Sequence, residues 1–181
     1  MKMSETKAVR ATAGTTMEQV KFLTTTAMGI ALVYLFTWLI HVQIFPGEGG
    51  LVHLGNVPLF IFAILFGKKT GAIAGGLGMA LFDLTSGWTA WAPFTLIVVA
   101  IMGFVVGFIT EKKKGFGWYV LAMVVALPIK IVGYYIAEGF LYGNWISPAL
   151  SIPGNVLQVV AAIVITAIAI LPLKKAANKI L

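Results

Sequence analysis

The sequence predicts an all-α, polytopic membrane protein of six transmembrane helices with both termini in the cytoplasm, and three observations carry that expectation. Of 181 residues, 60% are hydrophobic and only 10% charged, too little charge to solvate an ordinary globular surface. The apolar residues gather in six runs separated by short polar or turn-rich stretches. The basic residues fall on alternate connections between those runs, as they do in a chain threaded back and forth through a bilayer.

Taken in order, residues 1–21 are mixed polar with Lys2, Lys7, Arg10 and Lys21, too hydrophilic for the apolar core of a signal peptide, and read as a cytoplasmic tail. The spans follow at 22–44, 54–66, 71–84, 94–110, 118–142 and 152–171, giving a transmembrane domain over 22–173 and a short basic tail at 174–181. The second and third runs are short against the roughly 20 residues needed to cross about 30 Å of hydrocarbon. Charge decides how to read them. A re-entrant hairpin would bury Lys68 and Lys69 in the membrane at about 2.5–3.5 kcal/mol each, so two crossings are cheaper. Six crossings put the tail basics, Lys68, Lys69, Lys112 to Lys114, Lys174, Lys175 and Lys179 on one side, which the positive-inside rule makes the cytoplasm.

The opposite loops, 45–52, 85–93 and 143–150, contain no lysine or arginine. They carry Pro46, Gly47, Gly49, Trp88, Trp91, Pro93, Trp145 and Pro148, a mix of turn formers and interfacial aromatics. There is no second domain, linker or internal repeat, so the inverted repeats of stand-alone transporters are missing. A lone six-helix chain of this kind is suited to binding a solute without the machinery to move it.

Several chemistries are excluded. No cysteine is present, and His41 and His53 alone make no metal site, so neither a metal nor another cofactor is expected. The net charge of +7 is scattered in short clusters, without the basic face and interleaved aromatics of a nucleic-acid binder. Leu84-Thr85-Ser86-Gly87 lacks the first glycine of a nucleophile elbow, and neither HExxH nor a Walker loop occurs. The chain is therefore not expected to be an enzyme, and if ATP drives it another chain supplies the ATPase.

Candidate site residues concentrate toward the outer side. Lys130 lies halfway along the fifth span, where a charge faces a partner or a polar cavity; Glu138, two turns further out, and Asp83, closing the third span, offer either a structural ion pair or a shared pocket. Asn155 and Gln158, three apart, share a helix face that Pro153 and Gly154 open, as binding groups or as interhelical glue. Asn144, Trp145, Tyr134 and Tyr135 fall near the same depth. The first outer loop adds His41, Glu48 and His53, and the second adds Trp88 and Trp91, which suit either a flat heterocycle or a membrane-interface anchor. Ala27 and Ala31 form a small-xxx-small pair, and Gly71, Gly75, Gly76 and Gly78 with Met79 flatten the third span for a helix partner. Two rival readings stay open: a membrane enzyme or sensor in which Lys130, Asp83 and Glu138 move protons, and an assembly subunit that only holds other chains.

Over most of its length the chain resembles the substrate-binding S components of energy-coupling factor (ECF) transporters, which capture vitamins for prokaryotic cells. The resemblance rests on Leu54-Gly55-Asn56-Val57-Pro58, Phe66-Gly67-Lys68-Lys69-Thr70-Gly71-Ala72, Gly75-Gly76-Leu77-Gly78 through Asp83-Leu84, Ala92-Pro93-Phe94-Thr95, and Pro153-Gly154-Asn155 before Gln158, with Ala27 to Ala31 fitting an AxxxA signature. It implies a multi-pass protein of the prokaryotic plasma membrane that takes substrate from outside. It also implies a partnership with a transmembrane T subunit, docked through Ala27 and Ala31, and two ABC ATPases. Within the family the chain is similar to the branch for hydroxymethylpyrimidine or vitamin B6 compounds, pyridoxine being favoured, with riboflavin-type members more distant. The substrate-binding residues expected on this reading are Asn155, Gln158, Asp83, Trp88, Trp91, Lys130, Tyr134, Glu138, His41, His53 and Asn56.

Overall fold

A computed structural model of the chain describes residues 2–43 and 51–180. The loop bearing Pro46, Gly47, Glu48 and Gly49, and the side chains of Lys2, Lys7 and Arg10, lie outside the described residues. Five helices, α1 (Lys2–Leu39), α2 (Asn56–Thr85), α3 (Ala92–Lys112), α4 (Phe116–Tyr142) and α5 (Ile152–Ile180), make up nearly all of it. Each contains a stretch long and apolar enough to cross a membrane. The helix α1 starts about twenty residues before the first apolar run, because the polar stretch contains good helix formers and no proline to stop it.

The first expected span ends early. After Leu39 the chain leaves the helix and forms a two-stranded antiparallel ribbon, β1 (His41–Gln43) and β2 (Leu51–His53), with His41 opposite His53 and Val42 opposite Val52. The expectation of a purely helical chain is corrected to that extent. Three residues per strand give too short an alternation to read from sequence against the longer helical run beside it.

The two short runs at 54–66 and 71–84 both lie in α2, which is not one straight rod. Gly67 interrupts it with φ 89° and ψ −177°, a backbone conformation essentially confined to glycine. A Cβ placed on Gly71 would lie 2.6 Å from Ala63 Cβ, and one on Gly75 would lie 2.2 Å from Leu59 Cδ1. Residues eight and sixteen apart in a straight helix are about 12 and 24 Å apart, so the two arms of α2 fold back on each other about Gly67. Lys68 and Lys69 sit at the bend.

The second arm runs antiparallel to α3 at backbone contact. A Cβ on Gly103 would meet the Gly71 carbonyl oxygen at 2.3 Å, and one on Gly107 would meet Lys68 Cα at 2.4 Å. Glycines on both helices let the backbones touch, which is the main source of helix association where no water is left to expel. On its other side the second arm receives α1, with Gly78 against Val33 and Ile30. The flat glycine face thus finds its partners within the chain. Around it packs a core of Leu59, Phe60, Val99, Met102, Met123 and Val159, each wholly buried.

These contacts also fix which ends lie together. Thr26 of α1 meets Thr70, Lys68 meets Glu111 at the end of α3, and Lys174 of α5 donates to the Tyr119 hydroxyl at the start of α4. The bend in α2, the α3–α4 connection and the terminal parts of α1 and α5, with their lysines, therefore gather at one end of the bundle, and the ribbon, the Trp88–Trp91 turn and the 3₁₀ turn Ser147–Ser151 gather at the other.

Candidate ligand-binding site

At the end opposite the clustered lysines a small cavity opens between the helices. Each element contributes for a local reason. Lys130, Tyr134 and Glu138 are spaced i, i+4 and i+8 on α4 and so form one stripe down its inner face. Asp83 comes from the last turn of α2, Thr95 from the first turn of α3, and Gly154, Asn155 and Gln158 from the first two turns of α5. Trp88 and Trp91 sit in the connection between α2 and α3, edge to face with ring centroids 5.1 Å apart, and Trp91 is backed by Tyr142 at 5.9 Å. Leu51 and His53 of β2 and Ser151 of the 3₁₀ turn complete the lining.

The polar groups are deeply buried: Lys130 and Gln158 are 1% exposed, Glu138 3% and Asp83 8%. Lys130 Nζ lies over the Tyr134 ring, 4.7 Å from its centroid, and no carboxylate oxygen comes within ion-pair distance of it among the described residues. The ion-pair reading of Lys130 is therefore not realised as a direct contact, although Asp83 and Glu138 both lie in its field. The Tyr134 hydroxyl donates to Thr95 Oγ1 at 3.1 Å, and Thr95 in turn bonds to Asp83. Asp83 Oδ2, Glu138 Oε2 and Gln158 Nε2 are buried with no hydrogen-bond partner among the described residues. A buried polar atom left unpaired costs about 1–3 kcal/mol, and three of them converge on this one cavity.

His53 Nδ1 accepts the Gly55 N–H at 3.2 Å, which leaves the proton of a neutral imidazole on Nε2. Burial first, then the positive charge of Lys130 and the neighbouring His41, hold its pKa well below the usual imidazole value.

Nine of the eleven residues expected to bind substrate line this cavity: His53, Asp83, Trp88, Trp91, Lys130, Tyr134, Glu138, Asn155 and Gln158. Two do not. His41 bonds through Nδ1 to the Trp38 carbonyl at 2.6 Å and lines a neighbouring groove with Trp38, Phe82 and Ser86. Asn56 is wholly buried at the start of α2, outside the cavity lining, with both amide atoms unpaired among the described residues. Asn144 accepts the Ile146 N–H in a turn, and Tyr135 donates to the Trp145 carbonyl, so neither residue joins the lining. Leu51, Thr95, Ser151 and Gly154 line the cavity without having been singled out as ligands; their small or apolar side chains give no signal in a sequence. Ala27 and Ala31 both lie on the exposed side of α1.

An apolar helical bundle whose buried polar groups converge on one aromatic-walled cavity defines an integral membrane protein built to enclose a small solute. Residues 17–175 match the family model described as the ECF-type riboflavin transporter, S component. The thiamine precursor transporter HmpT of Lactococcus lactis subsp. cremoris (strain MG1363) is 30% identical over 148 residues, 82% of this chain and 84% of its own. An uncharacterized protein of Pyrococcus woesei is 31% identical over 129 residues, 71% of this chain and 85% of its own. The crystal structure of the S component for biotin from an ECF-type ABC transporter shares the fold with a TM-score of 0.60 at 20% identity, over 83% of this chain and 90% of that one. The chain belongs to the S-component family of ECF-type transporters. It is therefore a membrane transport component for a vitamin-type substrate and not a catalytic enzyme.

Proposed function

We propose that the chain is the substrate-capture subunit for a hydroxymethylated aromatic ring, with hydroxymethylpyrimidine, a thiamine precursor, as the favoured substrate and pyridoxine second. The observation that carries this reading is the convergence of unpaired Asp83, Glu138 and Gln158 atoms with Lys130 beneath Trp88 and Trp91. Indole faces stack on a flat ring, and directed polar groups around its edge read its substituents. Both rings meet that description. The relative HmpT, named for a thiamine precursor, moves the preference from pyridoxine to the pyrimidine. Riboflavin, after which the matching family model is named, is the third candidate.

In this reading the two arms of α2 are separate crossings. The membrane is then spanned six times with both ends in the cytoplasm, and the lysine-rich end faces inward. The cavity opens outward to receive substrate. Energy comes from partners, a transmembrane T subunit that docks on the exposed Ala27 and Ala31 and two ABC ATPases. Residues 1–21 and 174–181 serve as cytoplasmic tails.

The test is binding by the purified chain in detergent, measured by calorimetry against hydroxymethylpyrimidine, pyridoxine, pyridoxal, thiamine and riboflavin, followed by uptake into liposomes. One ring is expected to bind tightly, with no uptake until the T subunit and ATPases are supplied. Uptake by the chain alone would overturn the capture-subunit assignment.

A further inference from the structure

The donors and acceptors that the cavity leaves unmet are unequal, and their arrangement says what the ligand must bring. Asp83 has one oxygen served by Thr95 and the other, Oδ2, buried and free. Glu138 has one oxygen bonded to Ser151, whose hydroxyl also lies 2.9 Å from the Pro148 carbonyl. Glu138 Oε2 is likewise buried and free. Two carboxyl oxygens, one from α2 and one from α4, thus have no hydrogen donated to them by the described residues. Lys130 does not supply them, since its Nζ lies beyond ion-pair distance of either and sits over the Tyr134 ring instead.

From this we infer that Asp83 and Glu138 together act as a selectivity filter, admitting the free, donor-bearing form of the ring and rejecting its phosphate ester. The inference rests on the cavity being the ligand site. An amino or hydroxyl substituent carries hydrogens to both acids, while Gln158 Nε2 and His53 Nε2–H remain as donors for a ring nitrogen or hydroxyl oxygen. A phosphate ester near neutral pH carries close to two negative charges and oxygens that only accept. It leaves both carboxyl oxygens unmet and brings its charge beside them, with Lys130 as the one lysine or arginine among the described lining residues. A site built around buried hydrogen-bonding groups rejects a ligand that leaves them unpaired far more strongly than an apolar pocket rejects a change of size.

The test uses the unmodified full chain and three probes: the amino-bearing hydroxymethylpyrimidine, its monophosphate, and the same ring without the amino group. The monophosphate is expected to bind at least about a hundredfold more weakly than the free alcohol, and the ring lacking the amino group about tenfold or more, as expected for lost donors to buried acceptors. A second measurement uses D83N and E138Q, in which each acid becomes an amide with hydrogens of its own. The preference for free over phosphorylated ring should shrink by about tenfold or more in at least one of them. Free and phosphorylated rings binding within about threefold of each other in the unmodified chain, where a lost donor would be worth far more, would overturn the filter and leave the proposed function standing. No binding of any ring would overturn both.

Discussion

The two ends of this bundle treat buried and half-buried polar groups in opposite ways. At the lysine-rich end Glu111, Thr110 and Lys114 each have a partner within the fold. Glu111 accepts from both the Lys68 backbone N–H and Lys68 Nζ, each at 2.9 Å, and so ties the bend in α2 to the end of α3. Thr110 donates to the Val106 carbonyl, and Lys114 caps the Thr110 carbonyl. At the other end Asp83, Glu138 and Gln158 are more deeply buried, yet each keeps an unpaired atom. On the proposed function one end is finished as folded and the other is finished by a ligand. The same residue type, glutamate, would then serve structure at 111 and recognition at 138, with the pairing distinguishing them.

Substitutions at the two ends should separate stability from binding. The largest effect is expected at Gly107, where a valine side chain would collide with the Lys68 backbone. Gly107→Val should cost about 3 kcal/mol of stability or more by overpacking, read as a fall in melting temperature without ligand. Gly67→Ala should follow at about 1–3 kcal/mol, from the backbone conformation that glycine alone adopts there and the contact of the added methyl with Glu111. At the cavity end the effect moves to affinity. Gln158→Ala should weaken ligand binding by about 1–3 kcal/mol, while lowering the melting temperature of the empty protein little, since the lost amide nitrogen has no partner to lose.

Acid offers a finer probe of the same contrast. The unfolded chain takes up a proton on His53 near the ordinary imidazole pKa of 6.5, whereas burial, Lys130 and His41 keep the folded imidazole neutral to well below that value. Stability linked to His53 is thus present above that pH and lost progressively below it. Between about pH 7 and pH 5 the melting temperature of the native chain should fall more than that of His53→Gln. The smallest effect is expected for Glu111→Gln: this ion pair is partly exposed, with side-chain accessibilities of 32% and 39%, and such pairs contribute about 0–1 kcal/mol. Ligand affinity should not change.

Much of this was legible in the sequence because membranes leave few ways to place a charge. The sidedness of the lysines, Lys130 as a group needing a polar surrounding, and the shared face of Asn155 and Gln158 all follow from composition and helical spacing. The ribbon from His41 to His53 did not show, since three-residue strands carry too little alternation to compete with the apolar run before them. The reversal at Gly67 was expected only as a loop between two runs; that the turn is made by one glycine, held by Glu111 from another helix, depends on a contact 43 residues away. His41 is expected in the site from the first outer loop and Asn56 from the resemblance alone; in the fold His41 lines a neighbouring groove and Asn56 is wholly buried outside the cavity lining. The flat glycine face is expected to take a helix partner, and the structure supplies α1, α3 and the first arm of α2, a choice that flatness in a sequence does not specify.

The central claim is that the end with unpaired polar groups is the ligand site and the end with paired ones is scaffold. Titrating hydroxymethylpyrimidine into the native chain, Gln158→Ala and Glu111→Gln by calorimetry tests it in one series. The account predicts tight binding to the native chain and to Glu111→Gln, and a loss of about tenfold to a hundredfold in Gln158→Ala. Equal affinity in Gln158→Ala and the native chain, or a loss confined to Glu111→Gln, would contradict it.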